Sequence, residues 1–175
     1  MTHVGLGIDI GGSGIKGALV DLDAGVFIGD RVRIATPKPA TPKAVAETAR
    51  MVADALEAPQ DIPVGIAMPA PLRDGVVSFM ANLDQKWVGK NATKIFEKHM
   101  DRQVVVLNDA DAAGVAEDAF GAASEADGTV IVTTLGTGIG SALLYNGVLV
   151  PNTELGHLEL DGHNAESQAA ASQRV

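Results

Sequence analysis

Three short clusters place acid, amide and imidazole groups where strands end or turn. Asp9 sits at the end of the apolar run Val4–Ile10, just before the turn Gly11-Gly12-Ser13-Gly14. An acid beside a phosphate-binding turn repels phosphate unless Mg²⁺ intervenes, directly or through water. Alone, Asp9 would only cap the turn. Lys16, just past the turn, can reach a phosphate or remain a solvated strand lysine. Asn108-Asp109 follows the apolar run Val104–Leu107 and opens an alanine-rich segment. Ligands of α/β sheets lie beyond the carboxyl ends of strands. A carboxylate there can take the proton of a substrate hydroxyl, and Asn108 can orient that hydroxyl. Either acid of Asp109-Ala110-Asp111 could cap the following helix. Asp111 is expected to be the cap and Asp109 the functional acid. In Glu154-Leu155-Gly156-His157, Gly156 lets the chain bend so that glutamate and imidazole converge, a pairing suited to sugar hydroxyls. His157 and His163, without cysteine or a tighter cluster, make a poor metal site. Asn82-Leu83-Asp84-x-x-Trp87 holds the only tryptophan and by itself reads as a surface turn.

The glycine turns recur. Gly12-Ser13-Gly14-Ile15-Lys16-Gly17-Ala18-Leu19 aligns without gaps on Gly136-Thr137-Gly138-Ile139-Gly140-Ser141-Ala142-Leu143, with five of eight positions identical. Each copy follows an apolar run and leads into another, so each predicts a strand–turn–strand whose backbone amides can face phosphate oxygens. Chance likeness between two glycine-rich turns is the plain alternative. Gly12-x-Gly14-x-x-Gly17 formally matches the dinucleotide fingerprint, but that motif needs a helix starting at its glycines. The residues up to the Asp21–Gly25 turn read as strand instead. A Walker A loop ends in Gly-Lys-Ser/Thr, which Lys16-Gly17-Ala18 does not supply.

The elements that must carry these groups follow from turn and periodicity signals. Val4–Ile10, Ile15–Asp21 and Val26–Ile34 predict an antiparallel meander. Thr41 can cap a helix over 42–57 with Pro42 at its first position, because Val45, Ala49, Val52 and Leu56 recur at helical spacing. Val64–Met68 and Gly75–Met80 predict strands, Asn91–His99 a short helix, Val104–Leu107 a strand and Asp109–Phe120 a helix. Thr129–Leu135 and Ser141–Tyr145 predict strands around the second turn, and Asn146-Gly147 a hairpin before Val148–Val150.

Composition limits the classes. With 175 residues, 46% hydrophobic and only 3% aromatic, the chain can bury a core built from Val, Ile, Leu and Ala. It holds 20 glycines and no cysteine, so disulfides and thiolate chemistry are excluded. Thirteen basic against 22 acidic residues give a net charge of −9, the wrong sign for non-specific nucleic-acid binding. No apolar stretch approaches the roughly 20 residues of a membrane helix. A cytoplasmic protein that binds neither nucleic acid nor membrane is expected.

Taken together, these residues resemble the ROK family of sugar kinases, within the actin-like ATPase and hexokinase (ribonuclease H-like) fold. Asp9 to Lys16 is similar to the family's first phosphate motif, with Ser13 where threonine is usual. Leu135 to Gly140 is similar to its second. Asn108-Asp109 resembles the sugar-binding asparagine and catalytic aspartate. Asn82 with Trp87, and Glu154 with His157, resemble further sugar contacts, and Glu166 is another candidate. Pro151 to Gly162 is very like the polyphosphate-using glucokinase branch, which also lacks the cysteine zinc motif of many members.

The resemblance implies an α/β protein: an N-terminal domain over 1–109 and the start of a second over 110–175, with the family's second domain continuing beyond. It implies phosphoryl transfer from polyphosphate or ATP to the 6-hydroxyl of glucose. Asp109 would be the base. Asn82, Asn108, Asp109, Glu154, His157 and Glu166 would bind the sugar. Gly11, Gly12, Ser13, Gly14, Lys16, Gly136, Thr137, Gly138 and Gly140 would bind phosphate, and Asp9 would hold Mg²⁺ through water. A homodimer is expected at full length. Lys86, Lys90, Lys94, Lys98 and Arg102 are spaced by four. With the resemblance, Lys90, Lys94 and Lys98 become a track for polyphosphate, which Arg102 can extend; without it they are a solvated helix face. The alternatives are a non-catalytic sugar- or phosphate-binding fragment and a ROK-type regulator. The latter would need a DNA-binding segment before the first phosphate motif.

Overall fold

The computed structural model describes residues 3–136 and 138–164. The first apolar run forms β1 (Val4–Ile10) and pairs antiparallel with β2 (Gly14–Asp21), Ile10 opposite Ile15, so the first glycine turn closes a hairpin. β2 continues into β3 (Val26–Ala35). The chain then forms α1 (Pro42–Ala55), whose first turn is capped by the Thr41 side chain accepting from the Ala44 amide. Strand β4 (Val64–Met68) returns parallel to β1.

The expected strand over 75–80 does not form. Only a two-residue pairing remains, β5 (Leu72–Arg73) with β6 (Val76–Val77). Asp74 and Gly75 both take positive φ, and Val77 exchanges backbone hydrogen bonds with Gly89 and Lys90 instead of extending a ladder. Next come α2 (Ala92–Met100), capped by Asn91, and β7 (Val104–Asn108), parallel to β4. The sheet order is β3-β2-β1-β4-β7. Beneath it lies one core, in which Leu6, Ile8, Ile10, Ile15 and Ile66 meet Val45, Ala49 and Val52 of α1 and Phe96 of α2. Gly17 makes the close approach of α1 possible, since a Cβ there would lie 2.5 Å from Val52 Cγ1.

The chain divides into two units, Met1–Asn108 and Asp109–Val175. The second unit opens with α3 (Asp109–Phe120). Strands β8 (Thr129–Leu135), β9 (Ile139–Tyr145) and β10 (Val148–Val150) form an antiparallel sheet in the order β10-β9-β8. Asn146 and Gly147 both have positive φ, as the two central residues of a tight hairpin require. Gly114 of α3 lies directly on Ala142 of β9, with no space for a side chain. A last two-stranded pairing joins β11 (Glu159–Leu160) to β12 (His163–Asn164). Among the described residues no helix is long and apolar enough to cross a membrane.

Candidate functional site

The register of the first sheet sets Asp9, Lys16 and Arg33 side by side on adjacent strands, next to the glycine turn. Strand alternation then sends Ile10, Ile15 and Ile34 to the core side of the same strands. Lys16 Nζ lies 3.0 Å from Asp9 Oδ2, with both side chains about half exposed. An exposed pair of this kind is worth at most about 1 kcal/mol, so Lys16 can leave Asp9 at small cost. Gly11 N–H donates to Gly14 O at 3.0 Å, and the Thr36 hydroxyl donates to Gly11 O. The Arg33 guanidinium donates to Ser13 O at 3.1 Å and fills the space a Cβ on Gly14 would take. Sequence reasoning missed Arg33. The available signal was the meander itself, whose register sets Arg33 opposite Lys16.

Asn82 lies against this turn, its carbonyl 3.6 Å from where a Cβ on Gly12 would stand. The tryptophan downstream is no surface residue. Trp87 is fully buried, stacks on Phe96 at 5.7 Å between ring centroids and donates its indole N–H to Ala40 O at 3.2 Å. The 82–87 loop is therefore a short 3-10 turn, Gln85–Trp87, nailed to the core by its one aromatic ring. Polar neighbours concealed this, because nothing local shows that the helix carrying Phe96 folds back beneath the loop.

In the second unit Asp109 begins α3 and is exposed, while Asn108 before it is buried at 6% exposure. Asp109 Oδ1 accepts from the Ala110 amide at 2.9 Å. Asp111 does not cap the helix. It lies inside the first turn, is 1% exposed, and accepts the Asn152 amide at 2.9 Å. Burial pushes its carboxyl above the ordinary carboxylate range, with the Asn152 N–H acting in the opposite direction. Buried Ser141 of β9 accepts the Leu155 amide at 2.8 Å, and its carbonyl accepts from the Thr153 hydroxyl at 3.3 Å. Asp111 and Ser141 thus anchor the segment that carries Glu154 and His157.

Those two side chains converge to 3.7 Å. The bend that brings them together lies at Glu154, which takes the left-handed conformation with φ 36°. Gly156, expected to be the flexible point, has another reason to be glycine: a Cβ would strike the Ile139 carbonyl. A non-glycine residue in this region costs of order 1 kcal/mol or more and persists only where its surroundings impose it.

The second glycine turn links β8 to β9, with the Gly136 amide donating to Gly138 O at 2.9 Å. Gly140 packs against Thr134 and Ala110. Thr137 and Glu166 lie outside the described residues.

Lys90, Lys94 and Lys98 are exposed, and none has a carboxylate at ion-pair distance among the described residues. Lys94 and Lys98 share a face of α2 at i,i+4 spacing, while Lys90 precedes its cap. Arg102 does not extend this stripe. The left-handed Asp101 turns the chain away, and the Arg102 guanidinium donates to Pro59 O at 2.9 Å and Ala58 O at 3.4 Å.

Residues 5–171 match the ROK family model. The chain is 52% identical to the polyphosphate glucokinase of Mycobacterium leprae, over 97% of this chain and 52% of that protein. It therefore spans about half the length of that relative. Among solved structures, the inorganic polyphosphate/ATP-glucomannokinase of an Arthrobacter species superposes with a TM-score of 0.90 at 49% identity, covering 98% of this chain and 70% of that one. A ROK glucokinase from Streptomyces griseus, solved with glucose and AMPPNP, superposes with a TM-score of 0.82 at 28% identity, covering 97% and 58%. The architecture is the actin-like ATPase and hexokinase fold. With its two glycine hairpins and the Glu154–His157 element, this chain belongs to the ROK family.

Proposed function

We propose that the protein transfers a phosphoryl group from polyphosphate or ATP to the 6-hydroxyl of glucose. The observation that carries this is the exposed Asp109 carboxylate, set directly after the buried Asn108 at the carboxyl end of a parallel strand. Asp109 takes the hydroxyl proton as the sugar oxygen attacks the terminal phosphorus. The P–O bond to the donor breaks, leaving glucose 6-phosphate and either ADP or a polyphosphate one unit shorter. Asn82, Asn108, Glu154 and His157 hold the sugar. Gly11, Gly12, Ser13, Gly14, Lys16 and the turn from Gly136 to Gly140 hold phosphate oxygens. Lys90, Lys94 and Lys98 carry the length of a polyphosphate chain.

Phosphoryl donors are commonly bound with Mg²⁺, which neutralises charge on the transferred group. Mg²⁺ keeps several waters and takes few protein carboxylates. The half-exposed Asp9 beside the turn fits such a water-mediated contact. No group of three or more His, Asp or Glu that could form a dedicated cage is found among the described residues. The same reading makes the protein cytoplasmic and, at full length, homodimeric.

The test is direct. The full-length protein, given glucose and either donor, is expected to yield glucose 6-phosphate. Glucose binding with no product from ATP or polyphosphate would leave a sugar-binding protein without turnover and reject the proposal.

A further inference from the structure

We propose that Arg33 is a phosphate-binding residue of the first glycine turn, gripping the phosphoanhydride chain that ATP and polyphosphate share. This rests on the phosphoryl-transfer reading above and adds to it a residue outside both glycine motifs.

The register makes Lys16 and Arg33 direct cross-strand partners. Like charges placed so are destabilising in a sheet unless something compensates them. Lys16 is compensated by Asp9 at 3.0 Å. Arg33 is not: no carboxylate lies at ion-pair distance from it among the described residues. Its neighbour Arg31 rests over the Phe27 ring, 5.5 Å from the centroid, whereas Arg33 leans the other way, over Gly14. A single N–H, from Nη2 to Ser13 O, tethers the guanidinium there. Among the described residues this is the one bond that its five donors make. A planar fork held at one corner and unneutralised is the group that matches phosphate oxygens in pairs.

Charge across the chain points the same way. Residues 1–108 contain 12 basic and 12 acidic side chains, while residues 109–175 contain 10 acidic ones and a single basic one, Arg174. A polyanion bound to this protein finds nearly all of its counter-charge in the first unit. At the first turn itself Asp9 and Lys16 cancel, which leaves Arg33 as the net positive charge. A strap that merely tied Ser13 to β3 would need one N–H and no charge.

The experiment compares the full-length wild type with Arg33→Met and Arg33→Lys, using ATP and polyphosphate in turn. Arg33→Met is expected to raise the KM for both donors about ten- to hundredfold, the usual size of a lost charged hydrogen bond, with the glucose KM unchanged. Arg33→Lys is expected to fall between, since it keeps charge and loses the fork. Unchanged donor KM values in a folded Arg33→Met variant, or a rise for polyphosphate alone, would overturn the proposal. Should Arg33→Met not fold, phenylglyoxal labelling of the wild type decides. Inorganic tripolyphosphate is expected to slow modification of Arg33, and undiminished labelling would overturn the proposal. A wild type that phosphorylates no glucose would reject the function proposed above. The labelling result would still report on Arg33 by itself.

Discussion

The two glycine hairpins share a sequence plan and stand in different surroundings. The first has four residues between its paired ends, Ile10 and Ile15, and is edged by Asp9, Lys16 and Arg33. The second has three, between Leu135 and Ile139, in a unit with one basic residue in its sequence. Packing differs as well. β1 and β2 lie inside a five-stranded sheet over a core shared with α1 and α2. β8 alternates strictly, with α3 on one side and Ile131 and Leu135 more than half exposed on the other. Helix–strand approach differs too. In the first unit the strand supplies the glycine (Gly17 under Val52), whereas in the second both elements do, Gly114 of α3 on Ala142 and Gly140 of β9 on Ala110. The two turns therefore share a glycine plan, while the charge around each is set by its own unit. Under the proposed function, the first unit would meet the donor's charge and the second would hold the base and the Glu154–His157 pair.

The sharpest way to break this division is Asp109→Asn. If the second unit supplies the base, turnover should fall about 10²–10⁴-fold with glucose affinity retained, as calorimetry alongside a rate assay would show. Near-normal turnover would move the base elsewhere. The complementary change removes charge from the first unit. Replacing Lys90, Lys94 and Lys98 together by Gln should raise the polyphosphate KM about tenfold, at roughly 0.5 kcal/mol for each exposed contact, and leave the ATP and glucose KM values alone. That difference should shrink in high salt. Equal effects on both donors would return these lysines to an ordinary solvated face.

Glycine placement tests the packing side of the comparison. Gly17→Ala and Gly114→Ala should each cost about 1–3 kcal/mol in thermal unfolding, because helix and strand must separate. Gly65→Ala, with nothing within 4 Å of the added carbon, serves as the control and should not destabilise. The smallest expected effect is at Asp111. Burial raises its carboxyl in the folded state, so its ionisation costs stability. That cost is absent at acid pH, where the group is protonated folded or unfolded. It grows as pH rises through the raised folded value. Asp111→Asn keeps an acceptor for the Asn152 amide, so its Tm relative to wild type should climb from acid to neutral pH. A Tm difference independent of pH would show that Asp111 is not buried as a charge.

Local chemistry was enough for the sequence to determine several features by itself. The hairpin turns are specified by consecutive glycines and by Asn146-Gly147, the start of α1 by Thr41-Pro42, and the candidate base by an acid at the seam between an apolar run and an alanine-rich helix. Each of these depends on residues within a few positions, which is the range over which backbone sterics and capping act. Tertiary structure alone decided the rest. Trp87 is in the core because Phe96 and Ala40 come to it. Asp111 anchors Asn152 across 41 residues instead of capping its own helix. Arg102 is spent on carbonyls over 40 positions back. Arg33 joins the first glycine turn through strand register. For these four residues type was visible and partner was not, because burial and charge neutralisation depend on groups that only chain folding brings within hydrogen-bond distance.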